Sequence, residues 1–226
     1  MICTVTLNTS IDKAYRLASP LVDGTVQRVA TCIDNAGGKG LNAARAVATC
    51  GENVIATGFV GGHTGELLCD LLARDGIEER FVRVKSETRC CINVLEPSGR
   101  STEFLEPGRE VSDAEVEALF DRVDELATSA DVVTFDGSVP RGMADDTYAV
   151  LVRRVRAAGK PCILDTSGAL LAKGIEALPT MVKPNTDEIG QLLGRHVSGI
   201  AEVCDAAREL HERGVEQVVV SLGGEG

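Results

Sequence analysis

The chain has 226 residues, 44% hydrophobic and 25% charged, which is the composition of a folded protein with one sizeable core and not of a disordered segment. Its formal net charge of −11 leaves no basic surplus for a nucleic-acid backbone, although a few local Lys and Arg can still hold one small anion. No apolar run approaches the roughly 20 residues that span a bilayer, and Met1–Leu7 has no basic segment or cleavable apolar core of a secretion signal, so a cytoplasmic setting is expected.

In chain order, a β-branched run over Ile2–Leu7 predicts the first strand. Residues 13–33 then alternate loosely around Pro20 and Gly24 (Ala14, Tyr15, Leu17, Val26, Arg28, Ala30, Cys32). A glycine cluster leads into a helix over Leu41–Thr49, followed by a strand at Val54–Val60 and a helix at Thr64–Arg74. Residues 88–105 read as a hairpin, Arg89–Leu95 and Thr102–Leu105, around the turn Glu96-Pro97-Ser98-Gly99. Over Asp113–Ala127, Val116, Leu119, Phe120, Val123 and Leu126 recur at i, i+3, i+4, and Ser112 with Glu115 forms a capping box at the start. Strands at Val132–Phe135, Cys162–Leu164 and Gln217–Ser221 then alternate with helices at Asp145–Ala157, Asp187–Leu193 and Ile200–Arg213.

Strands that are apolar throughout and separated by helices imply an α/β fold: a doubly wound, mostly parallel sheet covered by helices on both faces. The stretches at about 13–33 and 88–105 break that rhythm without supplying a helix. They predict a small β-sheet lid on a single domain spanning residues 1–226, with an antiparallel edge extension of the main sheet as the alternative. The eight cysteines are scattered, with no C-x-x-C pair, and the three His fit no ligand spacing. Reduced cysteines packed as small hydrophobes are expected.

Asn35-Ala36-Gly37-Gly38-Lys39-Gly40-Leu41-Asn42 concentrates the chemistry. Glycines entering a helix let backbone N–H groups approach an anion or a sugar hydroxyl; Lys39 adds charge and Asn42 adds a donor and an acceptor. It is not a Walker loop, because no Lys-Ser/Thr follows the required glycine spacing. A plain glycine-rich strand-to-helix turn accounts for the same residues.

Gly37-Gly38-Lys39-Gly40-Leu41-Asn42 resembles the first signature of the PfkB/ribokinase sugar-kinase family. The resemblance runs in order through Thr6–Asp12, Gly58–Gly62, Glu87-Thr88-Arg89, Gly137–Pro140, Asp165–Gly168, Lys183–Glu188 and Ser221-Leu222-Gly223. The Ala36–Asn42 and Glu87–Ile92 stretches look most like tagatose-6-phosphate kinases, with 1-phosphofructokinases next. The resemblance implies ATP-dependent phosphorylation of a ketohexose phosphate (tagatose 6-phosphate, fructose 1-phosphate or fructose 6-phosphate), with Mg²⁺. By the same resemblance Asp12 would bind sugar hydroxyls, while Gly38, Lys39, Asn42 and Ser138 would line the sugar-phosphate site. Arg89 would clasp the non-transferring phosphate, with Arg28 as a second candidate. Lys183, Asn185, Glu188, Ser221, Gly223 and Gly226 would serve the nucleotide, and Asn185 and Glu188 would reach Mg²⁺ through water. Read alone, these residues have ordinary explanations too: Asp12 as a turn cap, Arg89 as a solvated surface residue, Asn185 and Glu188 as a helix cap with a first-turn acid.

Three positions depart from the family pattern. Thr9 stands where Pro is common, Asp136 where Ser is common, and Arg109 where Pro often follows Glu106-Pro107-Gly108. The family's catalytic base sits in a Gly-x-Gly-Asp motif, which residues 1–226 do not contain, so the base is expected beyond Gly226 and the 226 residues alone are expected to be inactive. The family also implies a homodimer formed through the lid. The other readings are a non-catalytic sugar-phosphate-binding protein and an inactive fragment of such a kinase.

Overall fold

The computed structural model describes residues 1–226, apart from the side chain of Glu225. In chain order the first half contains β1 (Ile2–Thr6), β2 (Ser10–Leu17), β3 (Val29–Gly37), α1 (Lys39–Thr49), β4 (Val54–Val60), α2 (Gly62–Arg74), β5 (Glu78–Glu79), β6 (Val82–Arg83), β7 (Arg89–Leu95) and β8 (Ser101–Leu105). The second half contains α3 (Asp113–Ser129), β9 (Val132–Asp136), α4 (Thr147–Ala157), β10 (Cys162–Asp165), α5 (Gly168–Ile175), β11 (Met181–Val182), α6 (Thr186–Leu193), α7 (Gly199–Glu212) and β12 (Gln217–Val218).

The large sheet runs β12-β11-β10-β9-β1-β4-β5, with β6 also pairing with β4, and every pairing in it is parallel. The central strands are apolar on both sides because helices cover both faces. Cys3 and Val5 of β1, with Val133 and Phe135 of β9, pack against Leu119, Val123, Leu151 and Val155 of α3 and α4. The opposite face meets α1 and α2 through Leu41, Ala44, Leu68 and Leu72. The capping box at α3 is present: Glu115 Oε2 accepts from Ser112 N at 2.7 Å and from Ser112 Oγ at 2.8 Å.

The stretches that break the β/α rhythm form a separate four-stranded mixed sheet, β3-β2-β7-β8, and not an edge extension of the main one. Strand β2 pairs antiparallel with β3 and parallel with β7. The first of these stretches is longer than the alternation suggested, because pairing runs from Ser10↔Gly37 out to Leu17↔Val29. Ile11 and Ala36 at its root are buried in the cluster under α1 and α2, so the small sheet is tied to the large one where it leaves it. That root is where several of the candidate residues named from the sequence converge.

Other differences are local. The expected strand at Gln217–Ser221 shrinks to Gln217–Val218, and Val219 is 46% exposed. Helix α5 and strand β11 are too short for periodicity to reveal. Cysteine packing also differs from expectation. Cys3, Cys91 and Cys162 are buried, whereas Cys32, Cys50 and Cys204 are exposed, and all eight are unpaired.

Candidate functional site

The site lies at the C-terminal edge of the parallel sheet, where a strand-to-helix connection approaches two other strands as closely as atoms permit. A Cβ on Gly37 would sit on the Asp12 carboxyl, and a Cβ on Gly38 would come within 2.5 Å of Thr6 Cγ2. Gly38 has φ +123°, a conformation that side-chain-bearing residues rarely adopt. A Cβ on Gly40 would press on Thr6 Oγ1 and lie 3.0 Å from Asp136 Oδ2. Glycine at these positions lets the start of α1 rest against β1 and β2, and Gly38 caps α1 without a side chain.

Two cavities open there. The larger, about 470 Å³, lies beneath the small sheet and is lined by Asp12, Lys13, Asn35, Gly38, Lys39, Asn42, Arg89, Glu103 and Leu105, among others. The smaller, about 290 Å³, is lined by Thr6, Asn8, Arg89, Asp136, Gly137, Ser138 and Thr166 as well as Gly38 and Lys39. Gly38, Lys39, Arg89 and Leu105 belong to both, so the two are halves of one cleft.

Within the cleft, Asp12 Oδ1 accepts from Ser10 Oγ at 2.7 Å, and Ser138 Oγ accepts from Asn8 Nδ2 at 3.0 Å. Asn42 Oδ1 accepts from Arg45 Nη2. Arg89 is half-buried: Nη1 donates to the Glu106 carbonyl at 2.7 Å and Nη2 to the Asn8 carbonyl at 3.1 Å, while Nε is buried with no partner. Two of its five N–H groups are thus used to pin the loop before β2 against the segment after β8.

The main electrostatic feature is centred on Asp165, where two lysines from distant segments meet. Asp165, ending β10, takes Lys39 Nζ on Oδ1 and Lys183 Nζ on Oδ2, each at 3.1 Å. One carboxylate therefore joins a lysine from the glycine loop to a lysine from the other end of the sheet. Beside it, Asp136 is 5% exposed and accepts from Thr134 Oγ1 at 2.5 Å. Burial pushes its carboxyl up to about 7; the Thr134 bond pulls back, Asp165 pushes further up, and Lys39 and Lys183 lower it. The following segment is fixed through Gly137, whose carbonyl accepts from Thr166 Oγ1 at 2.8 Å and from Tyr148 Oη at 3.1 Å.

The residues expected to serve the nucleotide are arranged differently. Asn185 caps α6: its Oδ1 accepts from Glu188 N at 2.8 Å, and Glu188 Oε2 accepts from Asn185 N at 2.9 Å. Each side chain is thus partly used by the other's backbone. Ser221 N donates to the Pro184 carbonyl at 3.1 Å, which brings Ser221 beside Asn185, with Gly223 and Gly226 exposed just beyond. Among the described residues no cluster of three His, Cys, Asp or Glu could hold a metal ion. Arg28 is exposed on the segment between β2 and β3 and lines neither half of the cleft. Sequence reasoning assigned no individual role to Asp165, Asn8, Thr6, Asn35 or Glu103, although all but Glu103 lie within the motif segments singled out there.

Residues 5–226 match the family described as pfkB family carbohydrate kinase. The chain belongs to the pfkB family of carbohydrate kinases. Its fold superimposes on phosphofructokinase-2 of Escherichia coli in complex with fructose-6-phosphate with a TM-score of 0.93 at 32% identity, covering 100% of this chain and 75% of that one. The tetrameric inhibited form of the same enzyme gives 0.92 at 32% identity, covering 100% and 74%. A Thermotoga maritima protein described as a possible 1-phosphofructokinase gives 0.89 at 29%, covering 98% of this chain and 71% of that one. No helix among the described residues is long and apolar enough to cross a membrane.

The reciprocal bonds at α6 set an expectation for stability. Asn185→Ala should lower unfolding stability by about 1 kcal/mol, the usual worth of an N-cap side chain, in urea denaturation followed by circular dichroism. An unchanged midpoint would mean that the cap contributes nothing here.

Proposed function

We propose that the protein is an ATP-dependent kinase of a ketohexose phosphate, with the sugar in the larger half of the cleft and its phosphoryl-accepting end turned toward Asp165. The observation that carries this reading is the Lys39–Asp165–Lys183 bridge, which holds two cations apart between the glycine loop and the nucleotide end. Phosphoryl transfer needs positioned positive charge more than covalent chemistry, and a transferring phosphate can draw both lysines off one carboxylate. Asp12 accepts hydrogen bonds from sugar hydroxyls, and Ser138 and Arg89 face the ester phosphate. Fructose 6-phosphate, fructose 1-phosphate and tagatose 6-phosphate are the substrates this reading allows.

The donor set also suits ATP with Mg²⁺. Glu188 gives one oxygen to the helix cap, leaving the other for a metal-bound water, and Lys183, Ser221 and Gly223 flank the same end of the sheet. The metal would supply charge on the nucleotide phosphates, while Lys183 orients them. The unpaired cysteines accord with a cytoplasmic setting.

The small sheet supports a dimer. Register places Asp12, Ala14, Ile33, Cys91 and Leu105 on one face, and Ile33 and Leu105 are 48% and 65% exposed there. A second copy lying over this face would close the cleft. Sedimentation at high concentration should show dimers, and a monodisperse monomer would remove this part of the reading.

Arg89→Ala should weaken fructose 6-phosphate binding by roughly 10- to 100-fold and leave ATP binding nearly unchanged, as read by calorimetry. Equal losses for both ligands would make Arg89 structural only. The second reading is sugar-phosphate binding without turnover on the same fold. ADP release near the roughly 1 s⁻¹ of working kinases would support the kinase, and fructose 6-phosphate binding with no ADP release would support the second reading. Turnover at ordinary kinase rates would place the base on a carboxylate inside these residues.

A further inference from the structure

Asp136 is a buried carboxyl, 5% exposed, at the end of the strand that enters the cleft. It ends β9 in register with Thr6 of β1 on one side and Asp165 of β10 on the other, so two carboxylates stand side by side on adjacent strands. Both nearby lysines are bound to Asp165, and among the described residues no ion pair reaches Asp136. Its strand neighbour Thr6 has a buried hydroxyl with no partner, and both side chains line the smaller half of the cleft with Lys39, Arg89 and Ser138. The buried carboxyl thus shares a cavity with the groups suited to an ester phosphate.

We propose that Asp136 is a specificity-determining residue: with its carboxyl protonated the cleft accepts a dianionic sugar phosphate, and with it ionised the cleft rejects the dianion while still admitting a neutral sugar. This rests on the sugar-phosphate reading given above. The charged and titratable groups that face Asp136 are Asp165 from β10, Lys39 from α1, Lys183 after β11, Arg89 across the cavity from β7, and the Tyr148 hydroxyl of α4, which donates to the Asp136 carbonyl at 3.3 Å. With the carboxyl raised to about 7, its proton is held in mildly acidic solution and lost in mildly basic solution. A bound dianion raises it further, so binding above neutrality takes up a proton and affinity falls as pH rises. A site that needs the protonated form loses about tenfold in affinity between about pH 6 and about pH 8 when its pKa is near neutral.

The test is calorimetric titration of fructose 6-phosphate, and separately of fructose, into the full chain across that pH range, in two buffers of different ionisation enthalpy. The wild-type chain should bind the ester about tenfold more weakly at the basic end, with proton uptake, and should bind fructose with little change. Asp136→Asn and Asp136→Ser should remove that fall. The ester's own second ionisation, near pH 6, is common to all three proteins and cancels in the ratio of wild type to variant. Thermal melts identify a variant that fails to fold, in which case the other serves. Parallel pH profiles in wild type and variants would overturn the inference, as would variants equally weakened at every pH. Failure of the wild-type chain to bind fructose 6-phosphate at any pH would remove the sugar-phosphate reading and the inference with it.

Discussion

The site depends on one close contact: the glycine loop before α1 rests directly on Asp12 and Thr6. Side chains at Gly37, Gly38 or Gly40 would occupy the space of those two residues or of Asp136. The contact fixes three things together. It sets the start of α1 at the cleft wall, it holds Asp12 at the root of the small sheet, and it places Lys39 within reach of Asp165. Ile11 and Ala36, buried beside it, tie the small sheet to the same point, so the roof of the cleft and its floor share one anchor.

Charge is distributed around this anchor in an order that suits anions. An acidic protein of net charge −11 concentrates Lys39, Lys183 and Arg89 at one sheet edge. In the structure those cations are not idle: Asp165 bridges the two lysines, and carbonyls of Asn8 and Glu106 hold the arginine. On the proposed reading an entering phosphate would compete with these internal partners, which hold the side chains in place beforehand. Burial raises the carboxyl of Asp136, next to this set, to about 7.

The fold was largely legible because its signals are long and periodic. The alternation of apolar strands with helices such as α3, with its box at Ser112 and Glu115, requires a covered parallel sheet. The small sheet was legible as two stretches that broke the rhythm, though the parallel pairing of β2 with β7 joins residues far apart in sequence and has no local signature. Short elements such as β11 and α5 carry too few residues to show a period. At the site, motif residues were easy to nominate, but their partners were not. Asp165 matters because Lys39 and Lys183 converge on it across the sheet, a fact of topology. Asn185 and Glu188 show the reverse case: both the motif reading and the helix-cap reading fit their types, and the structure displays the cap.

A crystal structure of this chain with fructose 6-phosphate would test the central claim most directly. The account requires the sugar hydroxyls at Asp12 and the ester phosphate within about 3 Å of Ser138 or Arg89. Sugar phosphate bound elsewhere, with the cleft beneath the small sheet empty, would contradict it.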